Sequence, residues 1–437
     1  MNERSSNGLA AADSESLRLM SHPVRIAFTA SVGSHLDTAS WIERAMRTET
    51  DGMTCTIIDL VGFGPWEARE IPYDGQCERV TFSLEACGLK SPIVDSTTWP
   101  TVLSGARTLI DEVGPDLLVT MDDSWYDQFA LIRGAQHAGV PFLLAQEGPF
   151  RGGISSGRQP RGRITLRRSA LLQSRLVRRL RGMPFPVRLP SYGRGGASLV
   201  LAASSWYKSR FVASGVSPKR VEVTGLPRYD AIPRVRQLWL ERRNAGAAVR
   251  PPRVLLLSQP FLQYRVLSEA EYSSLAAIAR SALAEVVTRD GVTLEVRPHP
   301  SDRRQDMDIL LGDHLAATLV ASTTPLLKTL ASYDVVVGFT SSGLLEAMAI
   351  GVPIVVIETP PIATQTRWFR DVGVPVATDA ATAARLIRSA LAGSESPELP
   401  SELIEEMGLL DGMASSRVAK QCLMSIARRS QSGRGAK

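Results

Sequence analysis

The amino-acid sequence predicts an α/β protein built from two consecutive Rossmann-like domains, each with a parallel sheet and crossover helices. The chain has 437 residues, and because single cores stop growing at about 250 to 300 residues, two cores are expected. Short β-rich runs alternate with helical stretches, a proline-rich break follows, and the alternation then restarts. Neither half carries GxGxxG after its first strand, which argues against a dehydrogenase.

The first half, residues 22–228, contains six candidate strands. They are the runs VRIAFTA, CTIIDL, DLLVTM, PFLLAQ, SLVLAA and RVEVTG. Apolar residues in the intervening segments, such as TASWIERAMRT, recur at intervals of three and four, as on one face of a helix. An N-terminal Rossmann-like domain is therefore expected here.

The second half repeats the alternation after a predicted linker at residues 229–252, where prolines and a Gly/Ala patch interrupt the pattern. Residues 253–429 form the predicted C-terminal domain, with strands in RVLLLSQP, TLEVRPHP, DVVVGFTSS and PIVVIET. Residues 1–21 and 430–437 are polar and lack apolar periodicity, so both are predicted to be disordered tails.

The composition excludes several classes of protein. With 44% hydrophobic and 22% charged residues, the chain is neither fibrous nor disordered. No apolar run approaches the roughly 20 residues that span a bilayer, and the first residues lack the apolar core of a signal peptide. The four cysteines fit neither metal-ligand spacing nor a secreted disulfide framework. We expect a cytoplasmic protein, soluble or peripheral on the inner face of the membrane.

The most informative segment is DVVVGFTSSGLLEAMAIGVPIVVIE, which predicts a buried strand, a small-residue turn and a helix. Backbone N–H groups and hydroxyls at the start of such a helix suit a phosphate. The residues of this predicted donor-phosphate turn are Thr340, Ser341, Ser342 and Gly343. Glu346, about one helical turn further in, would accept hydrogen bonds from ribose hydroxyls. The alternative is that the hydroxyls only cap the helix and that Glu346 is solvated.

A second segment, LEVRPHP, predicts a strand that ends in Arg297, His299 and Pro300. The two prolines would fix the backbone so that the imidazole points outward from the carboxyl edge of the sheet, toward the place where ligands of open α/β sheets bind. Arg297 or His299 could then neutralise a diphosphate leaving group. A strand-end histidine that bonds its own loop is the alternative.

The order and spacing of LEVRPHP, SSGLLEAMAIGVP, VEVTGLPRYD and PFLLAQEGPF resemble bacterial surface-carbohydrate transferases with the GT-B fold. The similar group includes CDP-glycerol glycerophosphotransferases and capsule polysialyltransferases. The resemblance, which covers about residues 110–390, implies two domains facing across a cleft, with an acceptor domain first and a nucleotide-donor domain second. It also implies no cofactor or obligatory metal and transfer from a nucleotide-activated donor.

Carried over from this resemblance, the HP motif falls on His299 and Pro300, the donor-phosphate turn on Ser341 and Ser342, and the helix carboxylate on Glu346. Family members hold a catalytic base after an N-terminal strand, in a short motif that ends in Gly and contains His or two acids. Gln146-Glu147-Gly148 occupies that place here, with one acid and no histidine.

Glu147 is the first candidate base, because it ends an apolar strand and precedes Gly148 and Pro149, which favour a turn. Partial desolvation would raise its pKa toward a value useful for deprotonating a sugar hydroxyl. The alternative is a loop-capping or salt-bridged carboxylate. His35, in the loop after the first strand, is the second candidate base.

Two further groups follow strands of the first half. Asp122 and Asp123 suggest a metal site, but adjacent side chains diverge, so helix capping or acceptor contact is preferred and no metal site is predicted. Gly225 and Arg228 are expected to line the floor of the interdomain cleft, with a structural hinge as the alternative.

Residues 151–194 contain twelve arginines and no Asp, Glu or Lys. Within this segment, leucines recur at near-helical spacing, which predicts a basic amphipathic helix that could lie on an anionic membrane surface. A solvated insertion packed on the first domain is the alternative. Nucleic acid is disfavoured as a partner, because aromatic residues are few and no binding module is recognisable.

The predicted function is transfer of a glycosyl or polyol-phosphate group from a nucleotide-sugar or CDP-polyol donor to a hydroxyl. The acceptor would be a surface polysaccharide or a lipid-linked glycan. A UDP-N-acetylglucosamine 2-epimerase shares the fold, but LLLSQPFLQYR stands where an HRREN-like segment would open the C-terminal domain. A non-catalytic nucleotide-binding homologue is the third alternative.

Overall fold

The computed structural model describes residues 23–50, 52–61, 73, 75–89, 94–148, 187–245, 250–312, 315–321, 324–393 and 400–434. The chain forms two compact units. The first comprises Met1–Asp230 together with Glu405–Lys437, and the second comprises Ala231–Ile404. Each has its own parallel sheet, as the alternating pattern predicts.

The sheet of the first unit has seven described strands in the order β3-β2-β1-β4-β5-β6-β7. They are β1 (Arg25–Ala30), β2 (Thr54–Val61), β3 (Glu78–Ser83), β4 (Leu117–Thr120), β5 (Phe142–Ala145), β6 (Leu199–Ala202) and β7 (Val221–Val223). All neighbouring pairs are parallel, and Phe28, for example, lies opposite Ile57 and Val119. The six predicted strands are present, and β3 was missed because ERVTFS is short and half polar.

The helices of the first unit cover the two faces of this sheet. They are α1 (Gly33–Glu49), α2 (Trp99–Val113), α3 (Tyr126–His137), α4 (Ser205–Ala213) and, far along the chain, α13 (Ala414–Arg434). β4 and β5 are buried at every position, as expected for strands covered on both faces. The core joins apolar residues of β1, α1 and α13, including Phe28, Ile42 and Cys422.

The second unit has a six-stranded parallel sheet in the order β10-β9-β8-β11-β12-β13. Its described strands are β8 (Arg253–Leu257), β9 (Thr293–Arg297), β10 (Thr318–Leu319), β11 (Val335–Gly338), β12 (Ile354–Ile357) and β13 (Val376–Ala377). Its helices are α5 (Ile232–Asn244), α6 (Glu269–Asp290), α7 (Arg304–Leu311), α8 (Leu326–Leu330), α9 (Ser342–Ile350), α10 (Ala363–Asp371) and α11 (Ala380–Ala392). The helix α12 (Ser401–Met407) includes residues of both units, because the division falls after Ile404. Two valine-rich strands, β11 and β12, form the buried centre.

The predicted linker at residues 229–252 is wrong in character, because most of it is the helix α5. Three buried side chains, Ile232, Val235 and Trp239, anchor α5 in the second unit. The indole N–H of Trp239 donates to the carbonyl oxygen of Tyr333 at 3.3 Å. Of the prolines that suggested a break, Pro233 lies in the first turn of α5, where proline is tolerated, and Pro251 and Pro252 directly precede β8.

The predicted end of the second domain at residue 429 is also wrong, because α13 belongs to the first unit. The Asp230 carboxylate accepts hydrogen bonds from the backbone N–H groups of Ala414 (2.8 Å) and Ser415 (2.7 Å), which satisfies the start of α13. Helical structure continues to Arg434, into the predicted tail at 430–437. The predicted tail at 1–21 lies outside the described residues.

Cys55 and Cys77 are joined in a disulfide, contrary to the expectation that the cysteines form none. Spacing alone could not show this, because the parallel pairing of β2 with β3 brings the two residues together. The two sulfurs and the Glu43 carboxylate are also close enough for a shared metal ion. Glu43, however, already accepts from Arg47, Tyr73 and the N–H of Gln76.

Candidate functional site

The first candidate site lies at the carboxyl edge of the first sheet, where β1, β4 and β5 are neighbours. Strand order reverses between β1 and β4, and ligands of open α/β sheets bind at such a switch point. Three predicted residues, His35, Glu147 and Arg228, come together there. The charges of Glu147 and Arg228 act on the pKa of His35, and those of His35 and Arg228 act on the pKa of Glu147. The two candidate bases therefore belong to one cluster.

His35 is held at the start of α1 and is 6% exposed. The backbone N–H of Ser31 donates to its Nδ1 atom at 3.2 Å, so a neutral ring carries its proton on Nε2. Desolvation lowers the pKa of His35 despite the nearby carboxylates of Glu147 and Asp122. His35 is therefore a neutral imidazole at pH 7 whose Nδ1 lone pair is already engaged.

Glu147 directly follows the turn that ends β5, and its carboxylate pairs with Arg228. The Nη1 atom of Arg228 lies 3.2 Å from Oε1 of Glu147, and both side chains are less than one fifth exposed. Desolvation acts to raise the pKa of Glu147, but His35, Arg228 and a hydrogen bond from Ser34 outweigh it. The pKa is thus lowered, contrary to the expected increase, and the group is an ionised carboxylate at neutral pH.

Gln146, the residue before Glu147, is held by backbone groups on both sides of its amide. Its side chain is 1% exposed. The amide Nε2 donates to the carbonyl oxygen of Gly148 at 2.9 Å, and the amide Oε1 accepts from the N–H of Ala203 at 2.9 Å. A carboxylate could not donate the first of these bonds. Gln146 thus fixes the turn that presents Glu147.

Asp122 and Asp123 have different partners and do not share a ligand position in this structure. Asp122 accepts from the backbone N–H and the hydroxyl of Ser124, both at 2.6 Å, just before α3. Asp123 is buried and accepts from the N–H groups of Gly193 (2.8 Å) and Gly195 (2.6 Å). Desolvation raises the pKa of Asp123 to about 6. Asp122 thus closes a turn before α3 and does not cap the helix, whose N-cap residue is Trp125 and has no side-chain capping hydrogen bond. Asp123 anchors the segment that precedes β6.

Gly225 does not line an open surface. Its φ of 82° is in the left-handed region, and a Cβ atom there would lie 3.0 Å from the Cβ of Ala414 and 3.2 Å from the carbonyl oxygen of Leu409. Glycine is required at this position because the C-terminal segment packs against the backbone. The predicted role on a cleft floor is therefore replaced by a packing role within the first unit.

The second candidate site lies at the carboxyl edge of the second sheet, around His299. The backbone N–H of His299 donates to Oγ of Ser258 and to a carboxylate oxygen of Asp302, both at 2.7 Å. The N–H of Ser301 donates to Nδ1 of His299 at 3.1 Å. Desolvation, followed by the charge of Arg297, lowers the pKa of His299 to about 4. His299 is neutral at pH 7, with its proton on Nε2, and can act as a hydrogen-bond donor but not as a cation.

The predicted phosphate turn lies at the same edge. Ser258 binds the backbone of His299, and the next residue, Gln259, accepts a hydrogen bond from the hydroxyl of Thr340. Ser341 is the N-cap of α9, and its Oγ accepts from the N–H of Gly343 at 3.1 Å. The capping alternative is thus correct for Ser341. The neighbouring residue, Ser342, is exposed.

Arg297 and Glu346 have other partners than those predicted. The guanidinium of Arg297 donates to the carbonyl oxygens of Ala321 (3.2 Å) and Thr324 (2.5 Å), and it interacts with the Glu346 charge. Glu346 is 1% exposed, so the carboxylate expected to face a ribose is buried. Pro300 is exposed beside His299. Arg297 in this structure holds the loop after β10.

Tyr264 and Arg265, which the sequence analysis did not select, lie in the loop after β8. The rings of Tyr264 and His299 are edge to face, with centroids 6.4 Å apart, and Tyr264 is 44% exposed. Arg265 has a φ of 52°, the one positive value among the described non-glycine residues. The side chain of Arg265 makes no hydrogen bond or ion pair with any described residue. The position of Arg265 in the segment that follows a predicted strand was the available sequence signal.

The basic segment 151–194 is described only from residue 187 onward, so the predicted amphipathic helix lies outside the described residues. Where the chain becomes described again, the carbonyl oxygen of Val187 accepts from the Tyr126 hydroxyl at 3.2 Å. Within the described part of the chain, no helix is both long and apolar enough to cross a bilayer. Binding to an anionic membrane surface remains a prediction.

Neither a protein-family model nor a curated protein sequence matches the chain, but solved structures do. A UDP-N-acetylglucosamine 2-epimerase described as putative in its Listeria monocytogenes structure is similar over 91% of this chain and 95% of its own (TM-score 0.57, 16% identity). The Methanocaldococcus jannaschii UDP-GlcNAc 2-epimerase in complex with UDP-GlcNAc and UDP is similar over 91% and 99% (0.53, 12%). A variant of the wall teichoic acid polymerase TagF is similar over 98% and 96% (0.56, 11%). The chain has the GT-B fold.

The two candidate sites thus lie at the carboxyl edges of the two sheets, each near the point where the strand order of its sheet reverses. The predicted HP motif and serine turn share one of these edges, and both predicted bases share the other. At identities of 16% or less, these likenesses establish the fold alone, and the chemistry rests on the side chains described above.

Proposed function

We propose that this protein is a metal-independent GT-B glycosyltransferase, or a polyol-phosphate transferase, of surface-carbohydrate synthesis. The donor is nucleotide-activated, and the acceptor is a hydroxyl of a surface polysaccharide or a lipid-linked glycan. The observation that carries the proposal is the cluster of an ionised Glu147, Arg228 and a neutral His35 at the switch point of the first sheet. Such a carboxylate can accept a proton from an alcohol as the alcohol attacks.

Glu147 is assigned as the base. The Nδ1 atom of His35 already accepts from Ser31, so its remaining ring nitrogen carries the proton. Glu147 retains a carboxylate that can accept a proton, and Arg228 fixes its direction. The acceptor oxygen forms a bond to the anomeric carbon of the donor, or to phosphorus in the polyol-phosphate version, while its proton passes to Glu147. The bond to the nucleotide leaving group breaks at the same centre.

The second site supports the leaving nucleotide. His299 presents an Nε2–H donor, the start of α9 presents backbone N–H groups, and Arg265 supplies a positive charge that the neutral His299 lacks. Donors and cations aimed at a developing phosphate charge stabilise the transition state. These groups could replace a divalent ion, so we expect EDTA to leave the rate of transfer unchanged.

The second candidate function is epimerisation of UDP-N-acetylglucosamine, since two of the similar structures carry that name. An epimerase needs no acceptor, so incubation with UDP-N-acetylglucosamine alone separates the two functions. Formation of the 2-epimer, followed by NMR, would establish the epimerase and refute the transferase. The absence of an HRREN-like segment in the loop after β8 favours the transferase.

The transferase is tested in two stages. A thermal-shift screen against UDP-, CDP-, CMP-, GDP- and dTDP-linked donors identifies the nucleotide, since ligand at about 100 times its Kd stabilises the fold by about 2.7 kcal/mol. Transfer to a glycan acceptor is then compared for the native chain and for Glu147→Gln, which should lose about 10²–10⁴-fold in kcat. Glu222→Gln, which changes an exposed glutamate of the same unit, is the control. A chain that binds a donor yet turns over neither alone nor with acceptor is the non-catalytic homologue.

A further inference from the structure

Trp125 is the most exposed large apolar side chain in the described part of the chain, at 62% exposure. The other described tryptophans are buried or half-buried. Trp125 directly precedes α3 and follows the residues that leave the carboxyl end of β4. An indole ring costs solvation free energy when it faces water, so its exposure beside a candidate site suggests a ligand.

The loop that carries Trp125 is fixed on both sides of the tryptophan. Before it, Asp122 accepts from the N–H and hydroxyl of Ser124, and the buried Asp123 holds the segment at Gly193 and Gly195. After it, the N–H of Phe129 donates to the carbonyl oxygen of Trp125 at 2.8 Å. The exposed ring thus stands on an ordered backbone, which reduces the entropy lost when a ligand binds.

The position of the loop connects Trp125 to the proposed base. β4 lies between β1 and β5 in the sheet, so its loop leaves the same edge as the residues that carry His35 and Glu147. The charge of Asp122, three residues before Trp125, acts on His35. An acceptor whose hydroxyl reaches Glu147 would therefore pass over the β4 loop.

The chemistry of this edge favours a carbohydrate over an anionic membrane or an apolar peptide. The charge of Glu147 is balanced by Arg228, and Asp122 adds a carboxylate, so these residues do not attract anionic lipid. Both carboxylates can accept hydrogen bonds from sugar hydroxyls. The C–H face of a pyranose ring matches a flat indole, and tryptophan offers a large contact area with few rotatable bonds. We propose that Trp125 is the acceptor-binding platform, stacking against a sugar ring of the glycan whose hydroxyl Glu147 deprotonates. This inference rests on the proposed function.

Direct binding tests the platform without requiring turnover. Chitotetraose and cellotetraose serve as probes for the native chain, Trp125→Ala and Trp125→Phe, and saturation-transfer NMR and calorimetry measure their binding in the presence of UDP. We expect Trp125→Ala to weaken probe binding about tenfold or more and Trp125→Phe to restore part of it. UDP affinity should be the same for all three proteins. Leu319→Ala, which changes an exposed apolar residue of the second unit, should leave both affinities unchanged.

Equal probe affinity for Trp125→Ala and the native chain would overturn the proposal, as would failure of the native chain to bind either tetrasaccharide. Loss of UDP binding in Trp125→Ala would also contradict it, because the effect would then be a general loss of folding. If the probes bind through Trp125 but no donor is transferred, the glycan platform stands and the transferase function fails.

Discussion

The guanidinium of Arg228 lies 3.2 Å from the carboxylate of Glu147, and the two residues are 81 positions apart in the chain. Arg228 follows β7 at one edge of the first sheet, whereas Glu147 follows β5. The ion pair keeps Glu147 ionised in a site from which water is largely excluded, and it lies beside the neutral imidazole of His35. The first prediction follows from this pair.

Replacement of Arg228 by Met should move the acidic limb of the kcat/KM profile to higher pH. The pKa of Glu147 is lowered because its interactions with His35, Arg228 and Ser34 outweigh desolvation. Without Arg228, desolvation should make the pKa of Glu147 higher than in the native chain. A depressed carboxyl pKa contributes stability that is full above the unfolded pKa and is lost as pH falls through the folded pKa. The variant, whose Glu147 pKa is less depressed, should therefore gain less stability from this group at neutral pH. Arg133→Met, an exposed change in the same unit, is the control. Identical profiles for Arg228→Met and the native chain would contradict the assignment of Glu147.

Binding of the nucleotide-linked donor found in the thermal-shift screen should be nearly independent of pH between about pH 5.5 and 8, because its phosphodiester does not titrate there and His299 binds phosphate as a neutral donor. Its pKa is lowered to about 4 from 6.5, so the unfolded chain takes up this proton first as pH falls. The contribution of His299 to the free energy of unfolding therefore decreases as pH falls from about 6.5 toward 4. Calorimetric titration with that donor across this pH range measures its affinity. An increase in affinity centred near pH 6.5 would show instead that His299 binds as a cation.

Arg265→Ala should weaken UDP binding about tenfold or more, because it removes a charge-assisted contact to phosphate. Arg265→Lys keeps the charge but loses the bidentate geometry, so its affinity for UDP should lie between those of Arg265→Ala and the native chain. Arg289→Ala changes an arginine that is 71% exposed on α6 and should not affect binding. If Arg265→Ala binds UDP as tightly as Arg289→Ala does, the positive charge at this site comes from elsewhere.

Gly343→Ala should destabilise the second unit by about 1–3 kcal/mol through overpacking. A Cβ atom at Gly343 would lie 2.6 Å from Cδ2 of Leu326 and 2.9 Å from Cδ1 of Leu257. Gly393→Ala is a matched control, because its nearest neighbour would be 3.5 Å away at an ordinary φ of −62°. Urea unfolding measures the free energy of unfolding of the two variants. Equal midpoints for the two variants would show that α9 can shift without cost.

The fold was predictable because most strands carry their own signal; the strands β3, β10 and β13, at edges of the two sheets, were not predicted. Runs such as the VVVG of β11 and the FLLA of β5 are apolar at every position, as parallel strands covered on both faces must be. The membership of α13 was not predictable, because it depends on contacts between residues far apart in the chain, such as that between Asp230 and Ala414. Local periodicity carries no information about that partner.

The candidate site was predictable only in part, for the same reason. Residues at strand ends, among them His35, Glu147 and His299, could be selected because parallel strands present their carboxyl ends at one edge. What each side chain contacts could not be read from its neighbours in the chain. Arg297 and Glu346 look suited to a ligand in sequence but interact with each other inside the second unit. Arg265 was missed because its unusual backbone is visible only in the structure.

The return of the last helix to the first unit constrains how the protein can be assembled on the ribosome. Residues Val418, Cys422 and Ile426 fill the core beside β1 and α1, yet they are synthesised after the whole of the second unit. The second unit is contiguous in the chain and can complete its own core early. Part of the N-terminal core therefore stays uncovered until α13 has been synthesised, and a chaperone has its longest opportunity to bind there.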